Sequence, residues 1–165
     1  MKIFITGVTG FIGSNIARYL SDNNHQIYGS VSEDWKLSNK PKEINGLFLI
    51  NLNRSFDKNI FNKMDVLIHC AYDSSPNSMK KNINGTIAIS EAAKNNKQIF
   101  ISSFSAHNEN ATDYGMVKTT LEKYFLNEGH VIIRPGLVVG SGGLFLRICN
   151  LMKKFPMLPL LDGGK

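Results

Sequence analysis

The sequence predicts an α/β fold of the doubly wound kind, a parallel sheet with helices on both faces. Three observations predict it. Short apolar runs alternate with longer helical runs along the chain. The first apolar run, Lys2–Thr6, ends in a glycine-rich turn that opens a helix. The runs are apolar throughout rather than alternating, as in strands covered on both sides.

The elements follow in order. Lys2–Thr6 is the first strand, and Phe11–Asn23 a helix with Ile12, Ile16, Tyr19 and Leu20 on one side. Gln26–Val31 is the second strand. Ser32–Asn45 is polar, carries Pro41, and reads as loop. Leu47–Leu52 is a third strand, Phe56–Asn62 a short helix, and Asp65–Cys70 a fourth strand. Ser78–Asn96 is a long helix bearing Ile83, Ile87, Ile89 and Ala92-Ala93. Gln98–Ser103 is a fifth strand, and Ala111–Asn127 a helix stopped at Gly129. His130–Arg134 is a sixth strand, ended by Pro135, and Leu144–Phe155 is one more helix. The apolar, proline-broken tail Pro156–Lys165 reads as a segment leading into something else, as in a fragment.

The chain has 165 residues, enough for one domain of ordinary size. Its 42% hydrophobic and 19% charged residues exclude a disordered chain. The net charge of +6 suits an anionic ligand, but the lysines are scattered and form no basic stripe, so nucleic acid is not expected. Cys70 and Cys149 have no metal-ligand spacing, so no metal is expected. Two free cysteines, a strand at the very N-terminus and no run of membrane-spanning length lead us to expect a cytoplasmic protein that does not enter a membrane.

Two motifs carry chemistry. In Thr6-Gly7-Val8-Thr9-Gly10-Phe11-Ile12-Gly13, Gly7 and Gly10 make a turn tight enough for phosphates to approach the backbone, and Gly13 permits close helix–strand packing. The first helical turn then offers unpaired N–H groups and a positive dipole end to a pyrophosphate. About a hundred residues on, Tyr114 and Lys118 are spaced i, i+4, one face of a helix. A phenol with a pKa of about 10 is a poor base at neutral pH, and a neighbouring ammonium lowers it. One motif can hold a dinucleotide and the other can move a proton.

The G-x-x-G-x-x-G spacing resembles that of the short-chain dehydrogenase/reductase superfamily, in its extended or atypical branch. Other segments resemble that family in order: His69-Cys70-Ala71-Tyr72 its H-x-A-A turn, Asn82-Ile83-Asn84-Gly85-Thr86 its N-v-x-G-T helix start, Ile101-Ser102-Ser103 its I-S-S strand end. Tyr114 and Lys118 match Y-x-x-x-K, and Arg134-Pro135-Gly136-Leu137-Val138-Val139-Gly140 its R-P-x-x-V-x-G turn. The nearest group is the NAD-dependent epimerase/dehydratases, including small atypical members. Nucleotide-sugar epimerases usually carry longer inserts after the H-x-A-A turn and between the serine and the tyrosine.

The resemblance implies a Rossmann-type domain over residues 1–140 that binds NAD(P), with 141–165 beginning a substrate-binding region that is mostly absent. It implies Tyr114 as acid/base, Lys118 as its tuner and holder of the nicotinamide ribose, and Ser103, with Ser105 as runner-up, polarising the substrate oxygen. Gly7, Thr9, Gly10, Phe11, Ile12, Gly13, Ser32, Asn51, Leu52, Cys70, Ala71, Tyr72, Ser102, Pro135 and Val138 would join Tyr114 and Lys118 around the cofactor. Discrimination between NAD and NADP falls at Val31 or Ser32; Glu33 and Asp34 oppose a 2′-phosphate while Lys36 stands close, so the balance leans to NAD with NADP close behind. Asn51 replaces the acidic adenine contact. Asn82 would support a water relay or, as expected, cap and pack its helix; His107 would line the substrate pocket or, as expected, stand in an exposed loop; and Trp35 is expected to be a packing residue rather than an adenine stack. The implied reaction is hydride transfer at a carbon bearing a hydroxyl or carbonyl in a small-molecule substrate, a nucleotide-sugar being one candidate. The alternative is a non-catalytic NAD(P)-binding or sensing module. A homodimer through the two long helices is possible.

Overall fold

The structure is a computed structural model, and it describes residues 1–33, 37, 40–106 and 112–154. It divides into two units, Met1–Pro135 and Gly136–Lys165.

The first unit holds one six-stranded sheet, all parallel. The strands are β1 (Lys2–Thr6), β2 (Gln26–Val31), β3 (Gly46–Leu49), β4 (Val66–His69), β5 (Lys97–Ile101) and β6 (Val131–Ile133), arranged β3-β2-β1-β4-β5-β6. Its helices are α1 (Phe11–Asp22), α2 (Met79–Ala92) and α3 (Asp113–Asn127). Order reverses between β1 and β4, so the chain leaves neighbouring strands in opposite directions and opens a crevice at their carboxyl ends.

Period-two alternation assigns the core. Ile3, Ile5, Ile27, Ile68 and Ile101 share one cluster with Ala17 of α1, while Phe4 and Leu67 belong with Ile89 of α2 to another. A third forms where Phe100 meets Val117, Leu121 and Phe125 of α3. Register fixes this: Phe4 lies opposite Leu67, and Ile3 opposite Ile27. The expectation of strands covered on both faces holds for the central four but not for the β6 edge, where Val131 is 57% and Ile133 47% exposed.

Several boundaries move for local reasons. The expected helix at Phe56–Asn62 is a 3-10 helix at Lys58–Lys63, started by Asp57, whose carboxylate accepts the Asn59 N–H at 2.9 Å. α2 stops at Ala92, short of Asn96, because the Ala93 N–H is shared between the carbonyls of Ile89 and Ser90 and Asn96 turns back to the Ala93 carbonyl. α3 starts at Asp113, with the Thr112 hydroxyl accepting the Gly115 N–H at 3.2 Å. Ala111, Asp34, Trp35, Lys36, His107 and the tail Pro156–Lys165 lie outside the described residues.

The second unit contains α4 (Gly143–Lys154), none of whose residues is buried; Leu144, Leu151 and Met152 are all exposed. No helix among the described residues is long and apolar enough to cross a membrane.

Candidate functional site

The glycine turn is built around one contact. Gly7 has φ +64°, which a side chain rarely adopts, and a Cβ on Gly13 would lie 2.5 Å from the Gly7 carbonyl oxygen. The turn closes with the Gly10 N–H donating to that carbonyl at 2.9 Å. Helical bonding in α1 then begins with the Ser14 N–H to the Gly10 carbonyl, at 2.8 Å. No side chain caps α1 and its first turn holds no acidic residue. Its leading N–H groups therefore have no side-chain acceptor, and the positive dipole end has no acidic neighbour in the first turn.

Two hydroxyls lock the turn to its neighbours. Ser30 Oγ, in β2, accepts the Gly7 N–H at 3.2 Å. Thr6 Oγ1, at the end of β1, accepts the N–H groups of both Cys70 and Ala71 at 3.1 Å. Neither stands out in the sequence, because each looks like an ordinary small strand residue.

A cleft of about 680 Å³ opens over this turn. Of the expected cofactor residues, Gly7, Thr9, Gly10, Ser32, Asn51, Leu52, Cys70, Ala71 and Tyr72 line it. Ser30, Val31, Glu33, Ile50, Asp73, Ser74 and Lys81 line it as well. The ends of β2 and β3 meet where the Asn51 amide reaches the Ser32 carbonyl at 3.4 Å. Phe11, Ile12 and Gly13 stand in the first turn of α1 and do not line the cleft; nor do Ser102, Ser103, Tyr114, Lys118 or Pro135. Val138 belongs to the second unit.

Tyr72 joins the cleft to Tyr114 and Lys118. Its ring meets that of Tyr114 edge-on, with centroids 4.9 Å apart. Lys118 Nζ lies 5.7 Å from each of these two ring centroids and 4.7 Å from that of Phe100. The ammonium donates to the Ile101 carbonyl at 2.7 Å, and burial pushes Lys118 down to about 8. Burial first, and then Tyr114, raise the Tyr72 pKa, so Tyr72 keeps its proton. Burial likewise pushes the Cys70 thiol up to about 12, which makes it a small apolar group and not a nucleophile.

Behind Lys118 lies Glu122. Burial raises its pKa, but the paired Arg134 guanidinium outweighs that and keeps it ionised. Ser102 is buried, while Ser103 is partly exposed, and Ser103 Oγ accepts the Ser105 N–H at 3.2 Å. The start of α3 presses on this loop, since a Cβ on Gly115 would lie 2.7 Å from the Ser105 carbonyl oxygen.

Asn82 is 1% exposed, and its amide is used at both ends. The carbonyl accepts the Asp73 N–H at 2.8 Å, and the NH₂ donates to the Asp73 carbonyl at 2.8 Å and the Ser78 carbonyl at 3.0 Å. It fastens the loop after β4 to α2. No group of histidine, cysteine or carboxylate side chains among the described residues could hold a metal ion.

Comparison with known proteins agrees with this geometry. The family model for the NAD dependent epimerase/dehydratase family matches residues 3–142. A search of curated proteins gave no match. The UDP-glucose 4-epimerase of Thermotoga maritima is 20% identical, with a TM-score of 0.62 over 81% of this chain and 54% of that one. Serine dehydrogenase from Escherichia coli is 18% identical, with a TM-score of 0.70 over 96% of this chain and 92% of that one. The Bordetella bronchiseptica enzyme WbmH, solved with NAD+, is 19% identical, with a TM-score of 0.67 over 93% and 62%. These likenesses show a shared fold, and the chain spans about half the length of the UDP-glucose 4-epimerases it matches. Since the family match runs from β1 past β6 and takes in the glycine turn, Tyr114 and Lys118, the chain belongs to the NAD-dependent epimerase/dehydratase family.

Proposed function

We propose that the first unit binds NAD in the cleft over the glycine turn and supports hydride transfer at a carbon bearing a hydroxyl or carbonyl. The observation that carries this is the cradle itself: Gly13 against the Gly7 carbonyl, with α1 uncapped above it, leaves room and N–H donors for a pyrophosphate. NAD, when bound, supplies the hydride acceptor. The chain supplies the rest. Glu33 and Asn51 line the cleft where β2 and β3 end and favour ribose hydroxyls over a 2′-phosphate. The Tyr114 phenolate takes the proton of the substrate hydroxyl, or the Tyr114 phenol gives one to a carbonyl oxygen, under the influence of the Lys118 ammonium. Ser103 polarises the substrate oxygen. Residues 141–165 begin the substrate-binding region, and a nucleotide-sugar is the substrate class to try first, because UDP-glucose is bound in a structure of similar fold.

Calorimetric titration with NAD, NADH, NADP and NADPH tests the cofactor reading. Saturable binding that favours the NAD pair supports it, and no binding of any of the four refutes it. Tyr114→Phe then separates an enzyme from a sensing module. We expect NAD affinity to persist while turnover of the substrate found by screening, UDP-glucose first, falls by about 10²–10⁴-fold, the usual worth of a general base.

A further inference from the structure

Lys81 stands where local helix chemistry disfavours it. It is the third residue of α2, and a cation in the first turn opposes the positive end of the helix dipole. Departures from local preference of this kind are expected at functional or strained sites. Here the surroundings hold it firmly. Lys81 Nζ pairs with the Asp73 carboxylate at 2.5 Å, and that carboxylate also accepts the Ser75 N–H at 2.8 Å. The Asp73 backbone is fixed in turn by Asn82 and by the Ser78 hydroxyl.

This arrangement faces the cleft. Both Asp73 and Lys81 line it, and Lys81 is the one cation among the described lining residues, which also include the carboxylates of Glu33 and Asp73. The loop that carries Asp73 runs over the glycine turn, since a Cβ on Gly7 would lie 2.9 Å from Ala71 Cα. A dinucleotide brings two phosphate charges into this cleft. The α1 N-terminus answers part of that charge, and a second donor is needed on the opposite wall.

Resting on the NAD reading above, we infer that Lys81 is the second phosphate-binding group of this site, an ammonium held by Asp73 on the α2 side and directed at the pyrophosphate of the dinucleotide. It serves as a point charge, so an arginine would serve as well.

The test uses the whole chain, with NAD and the phosphate-free fragment adenosine as probes. NAD affinity is read by calorimetry and adenosine affinity by ligand-observed NMR, for wild type, Lys81→Met and Lys81→Arg. We expect Lys81→Met to weaken NAD binding about tenfold, the loss of one charge-assisted contact. Adenosine affinity stays unchanged, Lys81→Arg restores NAD binding, and added salt weakens NAD less in Lys81→Met than in wild type. Two outcomes overturn the inference alone while wild type still binds NAD: unchanged NAD affinity in Lys81→Met, or equal losses for NAD and adenosine, which would mean that the pair only shapes the loop. Failure of wild type to bind NAD would remove the cofactor reading and this inference together.

Discussion

At the residue scale, two buried bases set the pH dependence of stability. His69 is buried on Phe125, and burial, the largest effect, takes its pKa down to about 4 from 6.5. Its Nε2–H donates to Gln98 Oε1 at 2.9 Å; the Gln98 amide is oriented by donating its own NH₂ to the Ser90 and Ala93 carbonyls. Between those two pKa values the unfolded chain binds a proton that the folded chain refuses, so stability is lost as pH falls through that window. The loss is about 3 kcal/mol on the scale of one pKa unit per 1.4 kcal/mol. His69→Leu should flatten that part of a urea-denaturation series, and an unchanged slope would refute the assignment. Lys118 behaves similarly at higher pH. Its folded value of about 8 lies below 10.5, so the cost of burying its charge is fully present below about 8 and is relieved as pH rises through that interval. Lys118→Met should remove the rise in stability over that range, and denaturation midpoints at both ends of it measure this.

At the scale of elements, close approach decides more than side-chain contact. α2 crosses the segment after β3 so closely that a Cβ on Gly85 would overlap the Leu52 carbonyl oxygen. Because Leu52 lines the cleft, Gly85→Ala should cost about 1–3 kcal/mol through overpacking and should weaken NAD binding as well. Stability loss with unchanged NAD affinity would show that Leu52 lies clear of the cofactor. The glycine of the N-v-x-G-T pattern thus has a physical reason beside the motif.

At the scale of the molecule, the central strands hold the two sides of the sheet together. Phe4 is fully buried and meets Phe61 edge-on at 5.1 Å and Phe48 at 5.9 Å. Phe4→Ala should cost about 3–5 kcal/mol, a large share of a marginal fold. The urea midpoint reads this directly, and a loss below about 1 kcal/mol would mean that the site collapses around the gap. The cleft lies over the carboxyl ends of β1, β2, β3 and β4, the strands this core supports.

The sequence by itself determined the six strands, the alternation of strand and helix, the glycine turn and the Tyr114–Lys118 face, because each is written in local periodicity or in backbone freedom that only glycine has. Edges were less legible, since the 3-10 helix and the early stop of α2 depend on hydrogen bonds that compete over a single turn. Only the tertiary structure decided what the site contains. Thr6 reaches Cys70 and Ala71, and Tyr72 reaches Tyr114, because the β1–β4 and β4–β5 pairings bring distant segments side by side. The Asp73–Lys81 pair arises because Asn82 turns the loop back onto α2. None of these contacts can be read within a single motif: the first two join distant segments through strand order, and the third depends on the fold of one loop against α2.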